Sequence, residues 1–194
     1  MLKPLRDTLI IRTHTEEVVT SAGIVLPESA QNEWTSKGEV LAAGPGRRDK
    51  AGLNPVDVKV GDTVYFSRGE GQPAGGKGEI TLPETHVLAV LDGDEVTPYW
   101  DKVLVRLDKV EGSSLHGVVL PNSIEEGYDY GTVVAVGPGF PTNGSRQTPD
   151  LKADDRVIFS QYEGMELDLG FDDTRRLFIV RENTVFATIT EKKS

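Results

Sequence analysis

An all-β chain of two tandem small β-barrels is what this sequence predicts, on three observations. Apolar residues come in short runs bounded by Gly, Pro, Asp and Asn, without the sustained period of about 3.6 residues that marks an amphipathic helix. The chain matches itself at an offset of 93 to 94 residues. A Gly-Pro-Gly tripeptide ends a strand-like run at the same place in each copy, Gly44–Gly46 and Gly137–Gly139.

The elements follow in matched order. "KPLRDTLIIR" at Lys3–Arg12 pairs with "TPYWDKVLVR" at Thr97–Arg106. In "TLIIR" the side chains of Leu9 and Ile11 point one way and those of Ile10 and Arg12 the other, as the two-residue repeat of a strand requires. "GEVLAAGPG" at Gly38 pairs with "GTVVAVGPG" at Gly131, and "VKVGDTVYFS" at Val58 with "LKADDRVIFS" at Leu151. "HVLAV" and "TVFAT" close the two halves, with the offset grown to 98. After each Gly-Pro-Gly, "RRDKAGLNPVD" and "FPTNGSRQTPD" are polar excursions with turn signals, strongest at Asn143-Gly144, and each predicts a projecting hairpin. Two homologous domains are expected, 1–96 and 97–194. Neither half is a charged tail, since Lys plus Arg stand against Asp plus Glu at 10 to 15 in the first and 11 to 16 in the second.

One repeated feature does not belong to the strands. "THTEEVVTSAGIVLPESAQNEWTSKG" is too long and polar for an ordinary hairpin connection, yet it holds three adjacent aliphatics between a glycine and a proline. The counterpart "VEGSSLHGVVLPNSIEEGYDYG" keeps the pattern. Such a trio is either an anchor carried on a functional loop or a short strand that seals the barrel end. Recurrence does not separate the two, because duplication copies core and function alike.

Composition excludes several classes. With no cysteine, disulfides and cysteine-based zinc sites are out. A net charge of −10 argues against nucleic acid or an anionic membrane as partner. The opening "MLKPLRDTLIIRT" has no apolar run long enough for a signal peptide or a membrane span and does not read as a transit peptide, so a cytoplasmic protein is expected. "GEGQPAGGKGE" at Gly69–Glu79 lacks the Gly-Lys-Ser/Thr ending of a phosphate-binding loop and reads as a flexible loop. His14, His86 and His116 have no metal-ligand spacing, and "NGS" at Asn143 reads as a turn rather than a glycosylation site. No cofactor, metal or catalytic constellation is expected.

Taken in order and spacing, "KPLRDTLIIR", "SAGIVLP", "GEVLAAGPG" and "VKVGDTVYF" in the first half, and "GVVLP", "GTVVAVGPG", "DRVIF" and "YEGMEL" in the second, resemble co-chaperonins of the GroES family. The tandem arrangement resembles the double co-chaperonins of plastids, which makes a mature form in the plastid stroma the alternative to the cytoplasm of a bacterial or phage-infected cell. The resemblance implies two GroES-like barrels, each with a mobile loop and a roof hairpin, in a homo-oligomeric ring. It also implies a lid function: the ring caps an ATP-loaded GroEL-type chaperonin, a non-native protein folds inside, and ATP hydrolysis belongs to the partner. The docking tripeptides are then Ile24, Val25 and Leu26 in the first loop and Val118, Val119 and Leu120 in the second. Gly23 and Gly117 are the hinges before the anchor, and Pro27 and Pro121 stiffen the exit.

Energetics make such a loop a reversible clasp. Burying three aliphatic side chains gains about 1.5 to 3 kcal/mol each, while ordering about ten loop residues costs about 1 to 2 kcal/mol apiece. One loop binds weakly, and several loops on one ring bind by avidity. The resemblance implies a chaperonin with an odd number of sites, which whole chains bearing two loops cannot fill evenly. Either about four chains lie side by side with one loop redundant, or the domains stack in two tiers with one loop set docking; the short linker "LDGDEVTPYWDK" favours the side-by-side arrangement.

The halves also differ. Tyr162 of "SQYEGMELDL" is replaced by Gly69 in "SRGEGQPAGGKG", so only the second half has an aromatic there, and "LHG" before the second tripeptide is bulkier than "SAG" before the first. Two other functions compete with the lid. The oxidoreductase domains that share this barrel need a dinucleotide-binding half that the sequence lacks, and a structural β-protein without a chaperonin partner is separated by whether ATP-loaded chaperonin captures it.

Overall fold

Nineteen short strands, and no α-helix, make up the residues that the computed structural model describes: 2–13, 35–67, 69–93, 95–108, 114–115, 118–119, 128–160, 162–167 and 176–189. In chain order they are β1 (Thr8–Thr13), β2 (Thr35–Ala43), β3 (Arg47–Asp49), β4 (Gly52–Asn54), β5 (Thr63–Ser67), β6 (Gln72–Pro73), β7 (Glu79–Pro83), β8 (Val87–Asp92) and β9 (Glu95–Pro98). The second half continues with β10 (Lys102–Leu107), β11 (Ser114–Leu115), β12 (Val118–Val119), β13 (Tyr128–Val136), β14 (Phe140–Thr142), β15 (Ser145–Gln147), β16 (Arg156–Ser160), β17 (Met165–Leu167), β18 (Leu177–Arg181) and β19 (Val185–Thr188). A single 3-10 turn precedes β8 at Glu84–His86, and another precedes β19 at Glu182–Thr184.

The sequence repeat is a structural repeat. One sheet runs β6-β7-β1-β2-β5-β8-β9 and the other β17-β18-β10-β13-β16-β19, so six positions correspond one to one. Pairing registers agree as well: Leu9 stands opposite Ala43 as Val103 stands opposite Val136, and both ladders slip by a residue just beyond. Each sheet wraps its own core, Leu9, Ile11, Val40, Val64, Leu82 and Val87 in the first and Val103, Val105, Val133, Val157, Phe159 and Val180 in the second. These are the positions that two-residue alternation assigns to one face.

Both Gly-Pro-Gly segments end a strand by close backbone contact. A Cβ on Gly44 would lie 2.1 Å from the Arg6 carbonyl oxygen, and one on Gly137 would lie 2.2 Å from that of Trp100. Only glycine fits either place. The expected hairpins follow as β3–β4 and β14–β15. Asn143 and Gly144 form the second turn with φ of 47° and 77°, the left-handed pair that a two-residue hairpin loop needs. In the first hairpin the Asp49 carboxylate accepts from the amides of Ala51 and Gly52.

The segment Gly69–Glu79, expected as a flexible loop, contains a strand: β6 pairs with β7, Gln72 opposite Thr81 and Pro73 opposite Ile80. Positive φ at Gly69, Gly71, Gly75 and Gly78 lets the chain reverse on either side of these two residues. Glycine-rich composition marked the turns and hid the short strand between them.

The seventh strand of the first sheet, β9, belongs by sequence to the start of the second repeat. It pairs antiparallel with β8, Ala89 opposite Pro98 and Leu91 opposite Val96. Tyr99 and Trp100, which follow, insert into the first core. A third cluster lies between the halves, with Tyr65, Leu88, Ala89 and Val96 against Leu104, Leu167 and Ile179. The two hairpins meet at one end, where the Asn143 amide donates to the Asp49 carboxylate. The halves therefore lie side by side with their hairpins at the same end.

Candidate functional site

Antiparallel geometry decides where each long loop leaves its barrel. β1 begins beside the hairpin, where the Gly44 amide donates to the Thr8 carbonyl, and ends at Thr13, opposite Gly38. Its six residues span about 17 Å at roughly 3.3 Å per residue. The loop that begins after Thr13 and returns at Thr35 is thus rooted at the end opposite the hairpin. Leu107 stands opposite Gly131 in the same way, so the second loop is rooted at the matching end of its barrel. With the hairpins together at one end, both loop roots face the other.

Each root is braced. The Thr13 amide and hydroxyl both donate to the Gly78 carbonyl, at 2.9 and 3.1 Å. In the second half the Asp108 amide donates to the Tyr130 carbonyl, and its carboxylate accepts from the Thr132 hydroxyl and pairs with Arg156 at 3.6 Å. Gly38 and Gly131 occur where the neighbouring strand leaves no room for a side chain, since a Cβ would lie 2.7 Å from the carbonyl oxygen of Arg12 or Arg106. Beside the second root, Arg176 holds Glu166 in a two-pronged pair of 2.8 Å bonds, which keeps that carboxyl below its ordinary range. Asp129 is raised by burial, against a lowering pull from Arg176.

Gly23, Ile24, Val25, Leu26 and Pro27 lie outside the described residues, as do Gly117, Leu120 and Pro121. Val118 and Val119 form β12, whose backbone pairs with β11, Ser114 opposite Val119 and Leu115 opposite Val118. Tyr162 is 81% exposed at the turn between β16 and β17, and its counterpart Gly69 has φ of +80° with open space around it.

A second set of polar residues, at the junction of the halves, escaped the sequence reading. The Glu84 carboxylate is buried and accepts from the Tyr99 hydroxyl and the Asp57 amide, both on Oε1. Asp57 accepts from the Trp100 indole at 2.9 Å and pairs with the Arg146 guanidinium. Burial raises the Glu84 carboxyl above its ordinary range, the Tyr99 hydrogen bond working against it, and burial with the neighbouring carboxylate raises the Tyr99 phenol. Tyr99 is thereby held as a donor. The one sequence signal for this network was "PYW" where the first half has "PLR".

The chaperonin 10 Kd subunit family matches this chain twice, over residues 1–91 and again over 95–189. Across nearly its whole length the chain is similar to the 20 kDa chaperonin, chloroplastic, of Spinacia oleracea, 32% identical over 195 residues that cover 97% of this chain and 75% of that protein. The protein of the same name from Arabidopsis thaliana is 28% identical over 197 residues, covering 97% of this chain and 76% of its own. Co-chaperonin GroES of Polynucleobacter asymbioticus matches one half, 45% identical over 93 residues that are 46% of this chain and 96% of that protein. With two all-β units in matching register and the family matched in each, the chain belongs to the chaperonin 10 Kd subunit family.

Proposed function

We propose that this protein is a co-chaperonin that caps an ATP-loaded GroEL-type chaperonin ring and encloses non-native protein for folding. It has no catalytic role of its own, ATP hydrolysis belonging to the partner. Ile24, Val25 and Leu26 dock from the first loop, and Val118, Val119 and Leu120 from the second. Gly23 and Gly117 act as hinges, and Pro27 and Pro121 limit the entropy lost on docking. One observation supports this reading: the strand ends from which both loops start, at Thr13 and Leu107, lie at the end of the paired barrels away from the hairpins. The units are 1–96 and 97–194, and rings of about four side-by-side chains present the loops together, so that avidity offsets the weakness of each. The chloroplastic names of two relatives that match 97% of the chain favour the plastid stroma as its compartment over the bacterial or phage-infected cytoplasm.

The test is the double variant Leu26→Asp with Leu120→Asp, assayed for capture by ATP-loaded chaperonin and for refolding of an enclosed substrate. Both are expected to be lost while the unfolding transition stays put, because a carboxylate enters an apolar groove only at a cost of several kcal/mol. Capture that persists in the double variant refutes the docking assignment. A lost unfolding transition makes the trios core strands instead.

A further inference from the structure

Sulfur is scarce in this chain. It has no cysteine and two methionines, one at position 1 and the other, Met165, at the start of β17. Met165 is half-buried and packs against the cluster between the halves, which holds Leu88 and Ala89 from the first half and Leu104, Leu167 and Ile179 from the second. Gln72 has the equivalent place in the first half: it stands opposite Thr81, itself opposite Ile10, as Met165 stands opposite Ile179, itself opposite Leu104. Gln72 is exposed. The repeat therefore puts an amide on an exposed edge and a thioether where the second barrel meets the first.

The Met165 sulfur accepts from the Ser67 hydroxyl at 3.6 Å, a contact that joins the halves across 98 residues of sequence. Ser67 ends β5 and stands opposite Thr35, where the first long loop returns to its barrel. A thioether is a weak acceptor, so this bond holds little. It is also a nucleophile toward peroxides. A sulfur lone pair attacks one peroxide oxygen, and the S–O bond forms as the O–O bond breaks. The proton on the transferred oxygen passes to the departing one, which leaves as water or as an alcohol. Sulfur is oxidised by two electrons and the peroxide is reduced by two. The sulfoxide is polar and chiral, and in an apolar cluster it disrupts packing. Here a donor already stands beside the sulfur, and a serine hydroxyl turns to suit its acceptor.

We propose that Met165 is an oxidation site of this protein, converted to the sulfoxide by a peroxide, with the Ser67 hydroxyl of the other half as the donor that holds the new oxygen. The thioether state joins the halves through apolar packing and a weak bond. The sulfoxide state gives up part of that packing and gains an ordinary hydrogen bond in its place. The contact beside Thr35 therefore persists through the change, and the junction tolerates an oxidant that would otherwise loosen it. Ser67 is a positioning residue in this account. Its hydroxyl lies on one side of a sulfur whose two lone pairs become distinct on oxidation, so one sulfoxide epimer is held by the hydrogen bond and dominates.

Hydrogen peroxide added to the purified full chain, folded or unfolded in urea, tests this, with peptide mass spectrometry to follow one added oxygen on Met165. A site that reacts only in unfolded molecules is protected by the folding equilibrium constant, about a thousandfold or more. The folded chain is expected to show less than about a hundredfold protection, well short of that limit. After digestion, one of the two epimer-specific sulfoxide reductases should remove most of the oxygen from the folded sample, while both are needed for the sample oxidised in urea. Oxidation should shift the thermal melt of the parent little and that of Ser67→Ala down by several degrees more, with its epimer preference lost. Met165→Leu should not respond to peroxide, which assigns the shift to this residue. Greater protection, equal epimers from the folded parent, or an oxidised Ser67→Ala that melts like the oxidised parent overturns the proposal. If Ser67→Ala fails to fold, the epimer ratio of the parent decides it alone. None of these measurements involves a chaperonin, so their failure leaves the proposed capping standing.

Discussion

Replacing Tyr99 with Phe removes one hydroxyl from the junction and leaves its ring stacked on Trp100 at a centroid distance of 5.1 Å. Glu84 keeps the Asp57 amide but loses the donor that offsets its burial. A hydrogen bond to a charged group contributes about 1.5 to 3 kcal/mol, so the variant is expected to be less stable by about 2 kcal/mol at pH 7. The loss depends on pH in a definite direction. Glu84 lies above its ordinary 4.5 in the folded protein, so the stability linked to its protonation is full below pH 4.5 and declines as pH rises through the folded value. Without Tyr99 that value rises further, and the decline extends to higher pH. The gap between parent and variant should therefore be smallest near pH 4 and widen toward pH 8. Urea unfolding followed by tryptophan fluorescence reads it, about 1 M in midpoint for 2 kcal/mol. Both bonds converge on Oε1, so Glu84→Gln retains an acceptor for each and should flatten the pH dependence. In that background Tyr99→Phe should cost only about 1 kcal/mol. A gap below about 0.5 kcal/mol, or one that does not change with pH, refutes the coupling.

Burial lowers Lys102 from 10.5 to about 8, so between those values the unfolded chain holds a proton that the folded one has released, and stability should rise with pH there. Lys102→Thr, the residue of the first half at Thr8, should remove that rise and stabilise the protein at pH 7 by about 1 to 3 kcal/mol, read by thermal melts from pH 7 to 10. Gly137→Ala forces a Cβ to within 2.2 Å of the Trp100 carbonyl and should destabilise by about 2 kcal/mol or more, whereas Ala at Gly164, whose nearest neighbours are side chains at 3.0 to 3.4 Å, should cost less in the same urea assay. Leu26→Asp alone and Leu120→Asp alone should each weaken chaperonin capture in part, because side-by-side barrels present both loops; complete loss in one with no effect in the other would show that a single loop set docks.

Two-residue alternation identified Leu9 and Ile11 as one face, and the structure buries both in the first core. The hairpins were legible because their turn chemistry is local: glycine where a Cβ would meet a carbonyl oxygen, and Asn143-Gly144 where φ must be positive. The repeated tripeptides were legible as a pattern, and the docking proposed for them needs a partner's surface that this chain does not contain. What the tertiary structure alone decided is the junction. Tyr65, Leu88 and Leu104 are buried by a neighbouring barrel rather than by their own, "EVTP" is a strand because β8 offers it an edge, and Glu84 is buried because Tyr99 covers it. Strand period and turn type arise from contacts within a few residues, so a short window of sequence contains their cause. A face that one barrel turns toward another is buried only after both have folded, by groups as far apart in the chain as Asp57 and Arg146, and no local pattern records that meeting.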